Sequence, residues 1–251
     1  NPTTADNVVA SGSGTGSFNS NLTSLDANTT YHARAYATNG LGTAYGADLQ
    51  FTTLGPCAGQ TTVTYNGYSY PLVEIGNQCW FQDNLKTASY RNGVAIPNET
   101  DPNSWYNDMS GVWINYANNP SFDDAYGKLY SGYTVTNSNG ICPTGWHVPD
   151  NAEWFELFDL YGGQYLAGEH LKDVTPYFDG LNTSGYTGRA GGETNSFGDS
   201  QSGGVKGSWW SSEATSAFQL KNVTLQDVDI DVGYQTYPKN TGASIRCIKD
   251  Q

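Results

Sequence analysis

A helix-start motif in the middle of the chain limits its fold more than any other local pattern. Asp150 is a favoured N-cap residue, and Glu153, three positions later, can accept a hydrogen bond from the Asp150 backbone amide in a capping box. The spacing predicts a helix from residue 151, with Trp154, Leu157 and Phe158 facing the core. The glycine pair that follows predicts its end.

The sequence around this motif predicts further strands and short helices. Alternating residues at 61–65 and 68–75 flank an Asn-Gly pair, the strongest short-range signal for a β-hairpin. The other predicted elements are strands at 208–212, 217–225, 228–232 and 243–249, and short helices near 125–135 and 165–172. Loops are expected over most of 87–140 and 173–207. The predicted fold class is therefore α+β.

Residues 1–54 have a purely β pattern, so we expect a first domain at 1–54 and a second at 55–251. Alternation places Tyr31, Ala33 and Ala35 on one face of a strand. A β-sandwich needs about seven strands to cover both inner faces, and this segment can supply about four. The apolar face of this incomplete β-sandwich must therefore be covered by something else.

Three explanations for the incomplete sandwich stay open. The segment could be cut from a longer protein, because exposed loop tips are favoured cleavage sites. It could pack against the second domain of the same chain. A neighbouring subunit could also donate strands to its open edge, which would make the chain a filament subunit.

Charge and cysteine content restrict the partners and the compartment. Lys and Arg total 11 against 24 Asp and Glu, and the resulting net charge of −13 argues against nucleic acid or anionic lipid. No run of about 18 apolar residues occurs, so membrane insertion is not expected. Four cysteines in a chain rich in Gly, Asn and Tyr indicate two disulfides and an extracellular location. Spacing alone leaves three connectivities open.

Four sequence motifs stand out in the second domain. They are IGNQCW at 75–80, ICPTGWHVPDNAEW at 141–154, WWSSE at 209–213 and SIRCIKD at 244–250. Together they resemble the Fibrobacter succinogenes major paralogous domain, which is found on secreted Bacteroidetes-type proteins, over residues 57–250. The resemblance implies disulfides between Cys57 and Cys79 and between Cys142 and Cys247.

Two further resemblances concern the fold. The words LDANTTY at 25–31, RAYATN at 34–39 and GTAY at 42–45 resemble the second half of a bacterial fibronectin type III domain. A loop-rich α+β domain closed by a disulfide between its helix region and its last strand resembles the C-type lectin-like fold. The words at 146–154 are also similar to sulfatase-modifying, formylglycine-generating enzymes of that fold.

An enzymatic function is not expected. The sulfatase-modifying enzymes depend on two neighbouring reactive cysteines in their C-terminal part, where this chain has Cys247 alone. There is no Gly-x-Ser-x-Gly motif, and His32, His147 and His170 are scattered over both domains. We interpret His147 as a hydrogen-bonded structural histidine.

A calcium site is one interpretation of an acidic segment near the C-terminus. On the predicted strand 228–232, the carboxylates of Asp227, Asp229 and Asp231 would share one face, and a hard cation would relieve their repulsion. A solvated acidic face that discourages edge pairing explains the same alternation without a metal. Both interpretations stay open.

Aromatic side chains are the remaining candidates for ligand contact, because rings stack on sugars. We expect ligand-binding aromatics in the loop regions, at Trp105, Tyr106, Trp113, Tyr116, Tyr177 and Tyr186. The tryptophans in the four motifs that carry the family resemblance are expected to build the core: Trp80, Trp146, Trp154, Trp209 and Trp210.

The sequence therefore predicts an extracellular, secreted or surface-attached structural or adhesion protein, including a subunit of a filament or surface assembly. The alternative function is a carbohydrate-binding, lectin-like module. The expected partners are further copies of the chain, other surface proteins or a glycan.

Overall fold

The computed structural model describes residues 1–251 and divides them into two compact units, Asn1–Gly59 and Gln60–Gln251. We call them the N-terminal unit and the C-terminal unit. The division lies five residues after the boundary expected at residue 54 (59 − 54). None of the helices combines the length and the apolar character that crossing a membrane requires.

The N-terminal unit contains one antiparallel hairpin, formed by β1 (Thr30–Asn39) and β2 (Gly42–Thr52). Residues 1–29 form neither helix nor strand. The expectation of about four strands in this segment is therefore wrong, because only the two strands nearest its end pair with each other.

The alternation predicted for the first strand holds only in part. Tyr31 and Ala33 are partly buried, and the Tyr31 ring stacks on Phe51 with centroids 5.9 Å apart. A β-bulge between Arg34 and Tyr36 shifts the register, and Ala35 is exposed. A bulge inserts one unpaired residue and so interrupts the two-residue period.

The C-terminal unit contains both helices and strands, which fits the predicted α+β class. Its helices are α1 (Pro102–Asn107), α2 (Asp123–Tyr126), α3 (Gly132–Thr136), α4 (Asn151–Asp159) and α5 (Ala167–Leu171), with 3₁₀ turns at Tyr116–Asn118 and Pro120–Phe122. Its strands are β3 (Thr62–Tyr65), β4 (Tyr68–Ile75), β5 (Gln78–Phe81), β6 (Trp113–Ile114), β7 (Leu129–Ser131), β8 (Trp146–His147), β9 (Glu193–Thr194), β10 (Ser200–Gln201), β11 (Lys206–Ser216), β12 (Gln219–Gln226), β13 (Gly233–Pro238), β14 (Gly242–Ala243) and β15 (Ile248–Lys249).

These strands form three antiparallel sheets. Their orders are β3-β4-β5-β15-β8, β10-β9-β14-β7-β6 and β11-β12-β13. The last strand, β15, lies between β5 and β8, so the end of the chain pairs with two segments that are distant in sequence. The hairpin of β3 and β4 is confirmed, and its turn residues Asn66 and Gly67 have φ of 47° and 83°, as a type I′ turn requires.

Helix α4 begins as the sequence predicts. The Asp150 carboxylate accepts from the Glu153 amide at 3.0 Å, and the Asp150 amide donates to the Glu153 carboxylate at 2.8 Å, which completes the capping box. Trp154, Leu157 and Phe158 are fully buried. These contacts confirm both the helix and its inward face.

The segment that precedes β8 and α4 is joined covalently to the residue before β15. Cys142 and Cys247 form a disulfide that closes a loop of 105 positions, the pair that the family resemblance implies. In the chain-entropy model, a loop of that length stabilises the folded state by about 4 to 5 kcal/mol. Cys57 and Cys79 are also disulfide-bonded, and no cysteine is free.

A buried arginine lies in the aromatic core. Arg246 is 1% exposed, and its guanidinium lies 4.1 Å from the Tyr186 ring centre and 5.7 Å from that of Trp209. Its Nε donates to Asn84 Oδ1 at 2.8 Å, and its terminal nitrogens donate to the carbonyls of Tyr186 and Thr187. Burial lowers the pKa of this guanidinium, which shows how strongly desolvation opposes its charge.

All five tryptophans that were expected in the core are buried there: Trp80, Trp146, Trp154, Trp209 and Trp210. Trp80 and Trp154 are in contact, with ring centres 5.0 Å apart, and Tyr186 meets both of them edge-on. Such aromatic pairs contribute about 0.5–1.5 kcal/mol beyond the area they bury.

Two element predictions are wrong, and the strand expected at 243–249 forms only at its ends, as β14 and β15 in different sheets. The helix expected near 125–135 is replaced by the end of α2, strand β7 and α3. Gly127, with φ of 70°, ends α2, and a Cβ there would lie 2.7 Å from the Leu85 carbonyl oxygen. The strand expected at 228–232 is a turn and bend, and the third strand of its sheet is β13 instead.

His147 on β8 links α4 to the chain end, in agreement with a structural role. Its Nε2 donates to Glu153 Oε1 at 2.8 Å and its Nδ1 donates to Asp250 Oδ1 at 2.6 Å. The hydrogen bond to Glu153, and secondarily the one to Asp250, raises the pKa of His147 to about 9 against the opposing effect of burial. The imidazole is therefore charged at neutral pH.

The ion pairs of His147 with Glu153 and Asp250, which we call the His147 clamp, predict a pH-dependent stability. Because the folded pKa of His147 lies above the unfolded value of about 6.5, its contribution is complete below that pH and is lost as the pH rises through about 9. The side chain is 39% exposed, so solvent screening limits the contribution to about 1 kcal/mol. We expect His147→Gln to lose this stability at neutral pH and to match the wild type at alkaline pH.

Denaturant titrations followed by tryptophan fluorescence measure this effect. All seven tryptophans lie in the C-terminal unit, so the signal reports on that unit alone. His170→Gln is the matched control, because His170 Nδ1 bonds Thr183 Oγ1 and no carboxylate. A wild-type and His147→Gln difference that stays constant between neutral and alkaline pH would contradict the clamp.

Candidate functional site

The six predicted ligand-binding aromatics do not lie together in one site. Trp105 and Tyr186 are 1% and 0% exposed, so their assignment to ligand contact is wrong. Trp105 packs against Val112, Ile114 and Leu129 and donates from Nε1 to the Asn240 carbonyl at 2.6 Å. Both rings anchor irregular segments to the core, a role for large aromatics that sequence position alone does not reveal.

Trp113 and Tyr106 lie at the surface in different settings. One face of the partly buried Trp113 is covered by the Lys128 ammonium, 4.6 Å from the ring centre, and Lys128 is itself paired with Asp123 at 2.7 Å. Tyr106 stacks on Phe197 at 4.9 Å, and both rings are about half exposed. These two rings form a flat exposed surface that we call the Tyr106–Phe197 pair.

Tyr116 lines the larger of two neighbouring clefts, which we call the aromatic cleft. It has a volume of about 250 Å³ and is lined by Tyr116, Phe122, Tyr126, Ala190, Gly191, Gly203 and Gly204. Phe122 lies between the two tyrosines, with ring centres 5.8 Å from Tyr116 and 6.0 Å from Tyr126. The three rings therefore form a continuous apolar wall.

Tyr177 lines the second cleft, which we call the acidic cleft. It has a volume of about 220 Å³ and is lined by Thr175, Pro176, Tyr177, Phe178, Asp179, Gly204 and Asp227. The two clefts share Gly204, and the rings of Tyr126 and Tyr177 meet edge to face at 6.1 Å. Tyr116 and Tyr177 are thus the two predicted ligand-binding residues that the fold brings to adjoining sites.

Glycines shape the aromatic cleft. The Gly203 amide donates to Tyr116 Oη at 3.0 Å, and an added Cβ at Gly203 would overlap the Tyr116 ring. A Cβ at Gly191 would lie 3.1 Å from the Tyr126 Cβ. At Gly191 and Gly203, the absence of a side chain therefore lets the backbone approach the two tyrosine rings closely.

Phe122 and Tyr126 also line the aromatic cleft but are not among the six predicted ligand-binding aromatics. Their spacing of four residues places both on one face of a helical turn, which is a signal for a shared surface. The signal is short, because α2 has only four residues. Burial raises the pKa of Tyr126, so its hydroxyl is neutral at physiological pH.

Arg189 fixes the boundary between the two clefts. Its guanidinium lies 4.4 Å from the Tyr177 ring centre, donates from Nη1 to the Ala125 carbonyl at 3.0 Å and pairs through Nε with Asp173 at 3.0 Å. One side chain therefore holds the end of α2 and the Tyr177 ring together, and its charge is matched by a carboxylate.

The predicted calcium site is not formed. Asp227, Asp229 and Asp231 do not alternate on a strand, and no group of three acidic, histidine or cysteine side chains could hold a metal ion. A strand here would also turn Val228, Ile230 and Val232 to the core, but Val228 is 89% exposed and only Val232 is buried. The backbone of this segment bonds to other elements instead, through Ile230 O to the Gly168 amide.

A lysine ammonium occupies the centre of this segment. Lys172 is 2% exposed, and its Nζ donates to the carbonyls of Gln226 at 3.2 Å, Asp227 at 3.2 Å and Asp229 at 2.8 Å. The Phe178 ring centre lies 5.9 Å from the same nitrogen. These three carbonyl oxygens, which could otherwise bind a metal cation, already bind the ammonium of Lys172. We call this arrangement of Lys172 Nζ and the three carbonyls the lysine cradle.

Replacement of Lys172 by an uncharged residue is expected to destabilise the C-terminal unit. Lys172→Met keeps the length of the side chain but leaves three carbonyls without their donor, at a cost of about 2–4 kcal/mol. Denaturant titration with tryptophan fluorescence measures this loss. Lys221→Met is the control, because its ammonium contacts only the Tyr234 ring at 5.2 Å. Equal losses in the two variants would contradict the special role of Lys172.

One of three comparisons with known proteins gave a match, and it covers most of the C-terminal unit. The family model described as the Fibrobacter succinogenes major domain matches residues 73–249, which is 177 of 251 residues (249 − 73 + 1). The searches of curated proteins and of solved structures each gave no match. The match includes α4, the Cys142–Cys247 disulfide, Arg246 and both clefts. The chain therefore belongs to the Fibrobacter succinogenes major domain family.

Proposed function

We propose that this chain is a secreted, surface-attached adhesion protein without enzymatic activity, and that its aromatic cleft binds carbohydrate. The observation that carries the proposal is the continuous wall of Tyr116, Phe122 and Tyr126 beside a cavity of about 250 Å³. The apolar faces of sugar rings stack on such walls. The volume lies below the range of about 300–1,000 Å³ typical of drug-sized ligands, which suits one sugar ring.

The other features of the chain support an extracellular, non-catalytic role. Two disulfides fit a secreted protein, and a net charge of −13 disfavours nucleic acid as a partner. His147 has both ring nitrogens engaged by carboxylates, and His170 stacks on Tyr161 at 5.0 Å. Cys247 is held in a disulfide, so it is not a nucleophile.

The proposal includes two finer statements about the fold. We assign the C-terminal unit to the C-type lectin-like architecture, supported by its loop-rich α+β structure and by the disulfide that joins the α4 region to β15. We assign the hairpin of β1 and β2 to part of a fibronectin type III-like sandwich, supported by its two long antiparallel strands.

Truncation of the aromatic wall tests the carbohydrate function. A glycan array with the wild-type protein identifies a neutral oligosaccharide ligand, and calorimetry measures its affinity. We expect the double variant Phe122→Ala/Tyr126→Ala to bind about fivefold to a hundredfold more weakly, because each lost stacking contact removes about 0.5–1.5 kcal/mol. Thermal melting followed by tryptophan fluorescence establishes that the variant is folded.

Tyr106→Ala is the matched control, because Tyr106 is an exposed aromatic outside both clefts. It should leave the affinity unchanged. If Tyr106→Ala abolished binding and the double variant did not, the Tyr106–Phe197 pair would replace the aromatic cleft as the site. If no glycan bound the wild type, the carbohydrate function would be wrong.

Assembly into a filament or surface array is the second candidate. The sheet of the N-terminal unit has only two strands, so each strand keeps one unpaired edge. Two-stranded sheets are marginally stable, and a strand from a neighbouring copy would add hydrogen bonds at that edge. Leu49 on β2 is 64% exposed, which leaves apolar surface for such a contact.

Electron microscopy and light scattering at rising protein concentration test assembly. We expect the wild type to form filaments or oligomers and Leu49→Lys to remain monomeric, since a charge on an exposed edge strand opposes pairing. Lys221→Met in the C-terminal unit serves as the control that should assemble normally. A wild-type protein that stays monomeric at all concentrations would contradict the assembly function.

A further inference from the structure

The acidic cleft continues the aromatic cleft. Gly204 belongs to the lining of both, and the edge of Tyr177 lies against Tyr126 at their boundary. A ligand whose first ring stacks on the aromatic wall would place its next ring beside Asp179 and Asp227. The combined site therefore suits a chain of at least two sugar rings.

The cations around the two clefts are already engaged. Arg189 pairs with Asp173 at 3.0 Å, Lys206 pairs with Glu193 at 2.8 Å, and the Lys172 ammonium is enclosed in its cradle. Asp179 and Asp227 are exposed and take no part in the ion pairs of the chain. The acidic cleft therefore presents two carboxylates without an ion-pair partner, and the buried Lys172 ammonium lies at the Asp227 carbonyl.

Lys172 holds the backbone of both acidic segments. Its Nζ binds the Asp227 carbonyl, and an added Cβ at Gly180, the neighbour of Asp179, would overlap Lys172. The two acidic residues come from segments that are 48 positions apart (227 − 179), and one buried residue contacts both segments. The backbone that carries the two carboxylates is thus fixed before any ligand binds.

We propose that the two clefts together bind an oligosaccharide of amino sugars, with a ring in the aromatic cleft and a protonated primary amine against Asp179 and Asp227. This inference rests on the proposed carbohydrate function and adds the chemical class of the ligand. A carboxylate and an ammonium attract each other, whereas the carboxylate of an acidic sugar would be repelled from the same cleft.

Calorimetry with a matched ligand pair tests the charge requirement. The ligands are a glucosamine oligosaccharide, at a pH that keeps its amines protonated, and the N-acetylglucosamine oligosaccharide of equal length, which has similar rings and no charge. We expect the charged ligand to bind the wild type about tenfold more tightly, and added salt to reduce this preference, because exposed charges are screened. A galacturonic acid oligosaccharide of the same length should bind more weakly than both.

Variants separate the two parts of the site. Asp179→Asn/Asp227→Asn should remove the preference for the charged ligand, because the affinity for that ligand falls to the affinity for the N-acetylated one. Phe122→Ala/Tyr126→Ala should weaken the binding of both ligands. Asp159→Asn, at an exposed carboxylate on α4, is the control and should behave as the wild type.

The outcomes distinguish this inference from the proposed function. Equal affinities for the charged and the N-acetylated ligand would overturn the inference and leave the carbohydrate function standing. A preference for the charged ligand that survives Asp179→Asn/Asp227→Asn would also overturn it. Binding of neither these ligands nor any neutral oligosaccharide would overturn the carbohydrate function, and the inference with it.

Discussion

The organisation of the C-terminal unit depends on how one buried charge is accommodated. A guanidinium taken out of water costs several kcal/mol unless hydrogen bonds to its nitrogens and contacts with aromatic faces compensate for the lost hydration. Arg246 meets this requirement with the side chain of Asn84, the carbonyls of Tyr186 and Thr187, and the face of the Tyr186 ring. These groups come from segments more than 50 positions apart in the chain, so they can satisfy Arg246 only when the whole unit is folded.

The same network extends to the proposed binding site. Asn84 accepts from Trp209 Nε1 at 2.7 Å and donates to the Tyr126 carbonyl at 2.7 Å, and Arg189 binds the neighbouring Ala125 carbonyl. A helix as short as α2 has little stability of its own. Its backbone at Ala125 and Tyr126 is therefore held by the side chains of Asn84 and Arg189, which lowers the entropic cost of ordering Tyr126 when a ligand binds.

Local features of the fold could be predicted from the sequence, because they depend on neighbours in the chain. The capping box at Asp150, the type I′ turn at Asn66 and the tryptophan core each follow from a short motif. Features set by distant partners could not. The alternation from Asp227 to Asp231 indicated a strand, but its carbonyls bind Lys172, whose position no local pattern reveals.

The candidate site was predictable to the same limited extent. Tyr116 and Tyr177 were identified because they are aromatics in loops, and the same criterion wrongly selected Trp105 and Tyr186, which fill the core. Exposure of a loop aromatic depends on which segment packs over it, and that information is tertiary. For Phe122 the sequence offers only its spacing of four residues from Tyr126. That pattern is too short to distinguish a binding surface from an ordinary helical turn.

The lysine cradle has a consequence for the environment in which the protein can work. A loop that is organised by a bound metal loses its shape when the ion is diluted or chelated, because the ligand groups then repel one another. Here the cation is covalently part of the chain, at Lys172, and cannot dissociate. The backbone that carries Asp227 at the acidic cleft therefore keeps its shape without a bound metal ion, in a chelating medium as well as in one rich in calcium.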